Sequence, residues 1–223
     1  MKPKAFLFDL NGTMIDDMPY HIAAWHDIIN NLGYPISMEK MKEECYGKNN
    51  ELLERIFPGR FSESEKEQMS QEKEKAYRRH FKPYLQLLPG LDVFLAQAQS
   101  QKIQMAIGSA AITSNIDFVL DGLHLHHYFA AIVSADDVTH SKPNPETYLK
   151  CAAALHLEPD ACIVFEDAPK GVEAALNAGM SAVVLTTMHE AEEFKQYPNV
   201  IHFAADYSNG LFEQISHYNS KLL

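Results

Sequence analysis

Short apolar runs alternate with segments of helical pattern along this 223-residue chain, and this alternation limits the possible folds more than any other feature. Such runs are typical of buried parallel strands that are joined by crossover helices. The predicted strands are Ala5 to Phe8, Ile103 to Ile107, Ala130 to Val133, Cys162 to Phe165, Ala182 to Leu185 and Val200 to Phe203. The pattern predicts an α/β fold with a doubly wound parallel sheet.

Residues 16–87 interrupt this alternation, because they contain no β-type run and their apolar spacing is helical throughout. We therefore predict an inserted helical domain at 16–87, while 1–15 and 88–223 form the α/β core. Within the insertion, Ser62 to His80 is rich in Glu and Lys and poor in apolar residues. That composition predicts a solvated helix face.

The charge and the cysteines limit the partners and the compartment. A formal net charge of −11 argues against nucleic acid or an anionic membrane as a partner, since phosphate groups favour clustered Lys and Arg. The three cysteines are far apart and lack metal-ligand spacing, so they are predicted to be reduced thiols without a disulfide. No run reaches the length of a membrane span. We expect a soluble cytoplasmic protein that is a monomer or a weak homo-oligomer.

Polar residues follow four of the predicted strands. Asp9 follows the first strand, Ser109 the second, Lys142 lies between two later strands, and the pair Glu166 and Asp167 ends the fourth. Taken singly, these are ordinary turn, helix-cap, surface or first-turn residues. In a doubly wound sheet, however, the carboxyl ends of the strands meet at one crevice. Together they supply a nucleophile, a hydroxyl donor, a cation and carboxylates for a divalent metal, which phosphoryl transfer requires.

These stretches resemble, in the same order and over nearly the whole chain, the four motifs of the haloacid dehalogenase superfamily. The likeness is greatest to its β-phosphoglucomutase-like phosphatases, because Tyr20-His21-x-x-Ala24-Trp25 follows the first motif, Asp9-Leu10-Asn11-Gly12-Thr13. The resemblance implies a Rossmann-like core with a mobile helical cap, dependence on Mg²⁺ and an aspartyl-phosphate intermediate on Asp9. The implied partner is a small phosphorylated substrate.

The resemblance also implies a role for each site residue. Ser109 and Lys142 would bind the phosphoryl oxygens. Asp9, the backbone carbonyl of Asn11 and Asp167 would hold Mg²⁺, and Glu166 would assist. In the cap, His21 and Lys48 are the candidate substrate contacts. His21 occupies the place where the mutases of this group carry a histidine, and Lys48 lies in the stretch that grips a second phosphate in those enzymes.

Two departures from the family pattern bear on activity. The first motif usually carries a second Asp where this chain has Asn11, and an amide cannot transfer the protons that this Asp transfers. Three explanations of Asn11 stay open. It is an engineered inactivation, a natural specialisation toward substrates that need no such acid, or the mark of a protein that binds a ligand without turnover. The cap stretch that ends in Asn50 also lacks the arginine of the phosphomutases. We therefore predict a Mg²⁺-dependent phosphatase, with a phosphomutase and a non-catalytic phosphometabolite-binding protein as alternatives.

Overall fold

A computed structural model describes residues 3–218 of the chain. In this range the strands are β1 (Ala5–Phe8), β2 (Gln104–Gly108), β3 (Ala131–Val133), β4 (Cys162–Glu166), β5 (Ser181–Leu185) and β6 (Val200–Ala204). They form one parallel sheet with the order β3-β2-β1-β4-β5-β6. The predicted strands are confirmed, each to within one residue at either end, and the predicted Rossmann-like α/β fold class is confirmed with them.

The helices are α1 (Met18–Asn31), α2 (Met38–Glu44), α3 (Asn49–Ile56), α4 (Glu63–Phe81), α5 (Leu91–Ser100), α6 (Thr113–Leu123), α7 (Glu146–Ala154), α8 (Pro169–Asn177) and α9 (Leu211–Ser216). The chain divides into two compact units. The second unit is Asp17–Leu85 and contains α1 to α4, while the first comprises the residues up to Asp16 and from Gln86 onward. Across residues 3–218, none of the helices combines the length and apolar character that crossing a membrane requires.

The strand order reverses at β1. From β1 the chain adds β2 and β3 on one side, then returns and adds β4, β5 and β6 on the other. Phe8, the last residue of β1, is paired with Ile107 of β2 and with Phe165 of β4. Parallel sheets bind ligands outside the carboxyl ends of the strands at such a switch point. Asp9 is the next residue, so the backbone alone places it there.

Strand β1 is buried on both of its faces, and the period of two along it sends successive side chains to opposite faces of the sheet. Leu7 belongs to a hydrophobic cluster that includes Val164, together with Tyr148 of α7 and Val172 of α8. Phe8 lies on the other face, where its ring stacks on Phe165 with centroids 4.8 Å apart. Packing on both faces holds the end of β1 firmly, and with it the residues that follow.

Helix α4 of the second unit has the solvated face that its composition predicts, where Glu65, Gln68 and Glu72 are exposed, but its opposite side is buried. Lys66, Lys73 and Glu74 are buried on one side of it, so the prediction is wrong for that side. Nζ of Lys66 is 2.5 Å from Oε2 of Glu54, and Nζ of Lys73 is 2.9 Å from Oε1 of Glu74. Buried charges are tolerated when they are paired in this way.

Candidate active site

Asp9 extends the ladder of the sheet by one residue beyond β1. Its backbone N–H donates to the carbonyl of Phe165 at 3.0 Å, and its side chain is largely buried. Ser109 holds the equivalent place after β2, where its N–H donates to the carbonyl of Val133 at 2.9 Å. Its buried hydroxyl accepts a hydrogen bond from the N–H of Ala111. Ser109 therefore lies on the strand next to Asp9, and its phosphate contact stays a prediction.

Lys142 reaches the site from the loop before α7. Its ammonium donates to Oδ1 of Asp9 at 2.7 Å and to Oε1 of Glu166 at 2.6 Å. It also donates to the hydroxyl of Tyr148 at 2.8 Å. Burial works to lower the pKa of Lys142, but the carboxylates of Asp9 and Glu166 outweigh burial and raise it above the ordinary lysine value. The structure thus brings together three of the residues predicted for the site, in direct contact.

Glu166 is buried and uses both of its carboxylate oxygens. Oε1 accepts from Lys142 and from the hydroxyl of Tyr148, the latter at 2.7 Å. Oε2 accepts from the backbone N–H groups of Asp167 at 3.0 Å and Ala168 at 3.1 Å. A carboxylate offers about four lone-pair positions, and these four bonds use them. The partners of Glu166 in this structure are therefore protein donors, and its assistance at the metal, which the resemblance implies, stays a prediction.

Asp167 is buried beside the turn that follows Asp9. Its Oδ1 accepts from the hydroxyl of Thr13 at 3.2 Å. A Cβ atom at Gly12 would lie 2.1 Å from its Oδ2, so only glycine leaves room for this carboxylate. Burial, and then the negative charges of Glu166 and Asp9, raise the pKa of Asp167 well above its ordinary value. The site thus concentrates negative charge that a bound cation would relieve.

The turn between Asp9 and Thr13 is itself anchored. Asn11 forms an isolated bridge with Ile15, and the carbonyl of Gly12 accepts from the hydroxyl of Thr187 at 2.6 Å. Thr187 follows β5, so the far side of the sheet helps to fix the turn. This arrangement holds the backbone carbonyl of Asn11 on the same turn as Asp9. The carbonyl is present whether residue 11 is Asn or Asp.

The donor set is chemically suited to Mg²⁺, which prefers oxygen ligands and keeps several waters. Two carboxylates, Asp9 and Asp167, and the carbonyl of Asn11 provide such oxygens. Within residues 3–218 there is no group of three or more His, Cys, Asp or Glu side chains that could hold a metal ion. A site made of two carboxylates, one backbone carbonyl and water molecules does not require such a group. The metal set of Asp9, Asn11 and Asp167 therefore stays a prediction.

The two predicted cap residues, His21 and Lys48, both lie in the second unit. The imidazole of His21 is buried, with Nε2 3.3 Å from Oδ2 of Asp17 and Nδ1 2.6 Å from Nζ of Lys73. An ammonium only donates, so Nδ1 accepts and the ring proton is assigned to Nε2, facing Asp17. Lys48 precedes α3, and its N–H donates to Oε2 of Glu51 at 2.9 Å. Their substrate contacts stay predictions.

Two residues that touch the site were not predicted from the sequence, Tyr148 and Gly171. Tyr148 bonds both Lys142 and Glu166, yet in the sequence it is one apolar position of α7. Gly171 lies in α8, and a Cβ atom there would be 1.7 Å from Oε1 of Glu166. For Tyr148, the available signal was its position six residues after Lys142, across a loop that prolines stiffen. Nothing in the sequence distinguishes Gly171 from a helix glycine that has no packing role.

Comparison with known proteins identifies the family of the chain. The model of the haloacid dehalogenase-like hydrolase family matches residues 6–185. The chain is 32% identical over 177 residues to a fructose-1-phosphate phosphatase of Escherichia coli (strain K12), covering 79% of this chain and 93% of the phosphatase. It is 33% identical over 188 residues to a β-phosphoglucomutase of Bacillus subtilis (strain 168), covering 81% and 82% of the two chains.

Solved structures show the same similarity. A β-phosphoglucomutase from Clostridium difficile is 27% identical and superposes with a TM-score of 0.84, covering 96% of this chain and 97% of the other. A hydrolase from Entamoeba histolytica, 26% identical, also gives a TM-score of 0.84 and covers 96% and 100% of the two chains. The similarity therefore extends over both units and is not confined to the motifs.

Proposed function

The chain belongs to the family of haloacid dehalogenase-like hydrolases, and we propose that it is a Mg²⁺-dependent phosphatase of small phosphorylated carbohydrates. Its assignment to the phosphohydrolases, which the four motifs predict, is confirmed by the family match and by the similarity to phosphatases. The substrate class is inferred from the fructose-1-phosphate phosphatase among its relatives. The named relatives include both a phosphatase and a mutase, so the choice of hydrolysis rests on Asn50, which stands where the mutases carry an arginine.

The observation that carries the proposal is the contact of 2.7 Å between Nζ of Lys142 and Oδ1 of Asp9. A buried carboxylate at the switch point, beside a lysine and a second acid, is poised to attack a phosphoryl group that the lysine attracts. In this mechanism an oxygen of Asp9 bonds to phosphorus as the bond between phosphorus and the leaving oxygen breaks. Water then hydrolyses the acyl phosphate and releases inorganic phosphate.

Asp9 and Asp167, with the carbonyl of Asn11, are the groups that would hold Mg²⁺. Bound there, the ion would neutralise charge on the phosphoryl oxygens and on the crowded carboxylates. This fits the raised pKa of Asp167, which reflects burial followed by the repulsion of Glu166 and Asp9.

Asn11 should slow the two halves of the reaction unequally. General acid–base catalysis typically increases the rate of a reaction by roughly 10²- to 10⁴-fold. A leaving group of low pKa departs without help from an acid, so phosphorylation of Asp9 by p-nitrophenyl phosphate should be little affected. Hydrolysis of the phosphoenzyme still needs a base to activate water, and an amide does not provide one. The phosphorylated form of Asp9 should therefore accumulate.

The test is a rapid-mixing experiment with p-nitrophenyl phosphate and Mg²⁺. The protein should release a burst of about one equivalent of p-nitrophenol, followed by slow turnover, and intact mass should show one added phosphoryl group. Asn11→Asp should remove the burst and raise steady turnover by roughly 10²- to 10⁴-fold. Asp9→Asn is the matched control, since it removes the nucleophile with little change of shape, and it should give neither burst nor turnover.

Each alternative function has its own result. Failure of both the protein and Asn11→Asp to release p-nitrophenol would overturn the proposal and favour a phosphometabolite-binding protein. Activation of Asn11→Asp by a sugar bisphosphate, with an isomerised sugar phosphate as product, would identify a phosphomutase. A panel of sugar phosphates, nucleotides and pyrophosphate, assayed with Asn11→Asp, then tests the carbohydrate class. Preferential hydrolysis of nucleotides or pyrophosphate would contradict that part of the proposal.

A further inference from the structure

We infer that Tyr148 is a positioning residue which, together with Glu166, holds the ammonium of Lys142 against Asp9. This inference rests on the proposed function only for its consequence in catalysis, because the contacts themselves are structural. It assigns a role to a residue outside the four motifs. It also gives Glu166 a role directed at Lys142, besides the metal contact that the resemblance implies.

The first support is a complete match of donors and acceptors at Lys142. A lysine ammonium has three N–H donors. Their acceptors are Oδ1 of Asp9 at 2.7 Å, the hydroxyl of Tyr148 at 2.8 Å and Oε1 of Glu166 at 2.6 Å. Hydrogen bonds to charged groups are the short and strong ones. The three acceptors together fix the ammonium in one place.

The second support is the rigidity of Tyr148. Its side chain is fully buried, within the cluster formed by α7, α8 and the sheet. Its hydroxyl accepts from Lys142 and donates to Oε1 of Glu166 at 2.7 Å, while its ring centroid is 4.6 Å from Nζ of Lys142. Glu166 is anchored in turn by the backbone N–H groups of Asp167 and Ala168. The lysine is thus held by two groups that packing and backbone bonds keep still.

This arrangement has a consequence for binding. Because all three donors of Lys142 are in use, a phosphoryl oxygen can gain one only by replacing an existing acceptor. Asp9 is the most exposed of the three acceptors, whereas Tyr148 and Glu166 are almost fully buried and are held by further hydrogen bonds. The bond to Asp9 is therefore the one exchanged, and the exchange also frees a lone pair on Oδ1 for attack on phosphorus. Tyr148 and Glu166 keep the ammonium within reach while its third donor changes partner.

The test replaces Tyr148 by phenylalanine, which removes the hydroxyl and keeps the ring. The readout that does not depend on activity is the side-chain ammonium resonance of Lys142 in protein with ¹⁵N-labelled lysine, assigned by its loss in Lys142→Arg. The protein should give a resolved, slowly exchanging signal that Tyr148→Phe shifts or broadens. The rate of the p-nitrophenol burst should fall by roughly 10- to 150-fold, which corresponds to the loss of one hydrogen bond to a charged group.

Tyr197→Phe is the matched control, because Tyr197 packs against the same cluster and the substitution removes the same atom. It should leave the signal and the burst unchanged. Glu166→Gln is the second variant, and it should displace the signal as Tyr148→Phe does. An unmoved Lys142 signal in Tyr148→Phe, or a moved signal with an unchanged burst rate, would overturn the inference. A moved signal in a protein that never transfers a phosphoryl group, even as Asn11→Asp, would overturn the proposed function and support the contacts inferred for Tyr148.

Discussion

Replacing Gly171 by alanine should destabilise the protein, although alanine is the better helix former. Gly171 lies inside α8, and its backbone does not have the positive φ that favours glycine. The added Cβ would lie 1.7 Å from Oε1 and 1.9 Å from Cδ of Glu166, whereas ordinary van der Waals contact begins at 3.4 Å. The carboxylate must therefore move away from Lys142 and Tyr148.

The size of the effect follows from the bonds that this movement breaks. Oε1 of Glu166 is 2.6 Å from Lys142 and 2.7 Å from Tyr148, and a shift comparable to the overlap breaks both bonds. Each hydrogen bond to a charged group contributes about 1.5–3 kcal/mol. The higher helix propensity of alanine offsets about 1 kcal/mol of this loss in the free energy of unfolding. The free energy of unfolding should therefore fall by about 2–5 kcal/mol.

The assay is urea denaturation monitored by far-UV circular dichroism. The slope m, by which the free energy of unfolding falls with urea concentration, is compared between variants. Fluorescence is less direct, because Trp25 is the single tryptophan and lies in the second unit. Gly122→Ala is the matched control, since Gly122 is an exposed residue of α6, and it should stabilise by about 0.5–1 kcal/mol. If Gly171→Ala proved as stable as the parent, or more so, the account of Glu166 as a tightly enclosed anchor would be refuted.

Three further predictions test other parts of the molecule. Asp167→Asn should weaken Mg²⁺ binding by at least the roughly 10- to 100-fold that losing an outer partner of a metal costs, and calorimetric titration with Mg²⁺ measures this. Burial raises the pKa of Cys151 to about 12 and that of Cys162 to about 11, so iodoacetamide at pH 8 should alkylate both only after urea is added, as mass spectrometry would show. Tyr77→Phe removes the hydrogen bond of 2.5 Å to Oδ2 of Asp17 and should cost about 1.5–3 kcal/mol in urea unfolding, whereas an unchanged midpoint would deny that bond a role in stability.

Much of the fold could be predicted from the sequence because its signals are local. A strand buried on both faces must be apolar at nearly every position, so β1 and β4 are visible as continuous apolar runs. The residue after such a strand is then placed at the carboxyl end of the sheet by covalent connection alone. For this reason Asp9 and Glu166 could be predicted to meet, although 157 positions of chain separate them.

The charged residues of α4 show where such reasoning fails. Composition predicts solvated side chains over Ser62 to His80, yet Lys73 and Glu74 are buried and paired. The sequence shows that Glu74 follows Lys73, but not that His21 contacts the ammonium of Lys73 or that the amide of Asn49 donates to Glu74. The burial of this pair is decided by how α4 packs against α1 and α3, and that packing depends on contacts between residues far apart in the chain.

The sequence by itself determined the order of the elements and the position of Asp9, Asp167 and Lys142 at the ends or loops of the sheet. It also determined that residue 11 is an amide, which cannot transfer protons. Tertiary structure alone decided which partners these groups have. Tyr148 bonds Lys142, and Gly171 makes room for Glu166, because α7 and α8 pack against one face of the same sheet. The physical reason is that hydrogen bonds and steric fit depend on distances of a few ångströms between side chains, whereas strand and helix patterns depend on how often apolar residues recur along the chain.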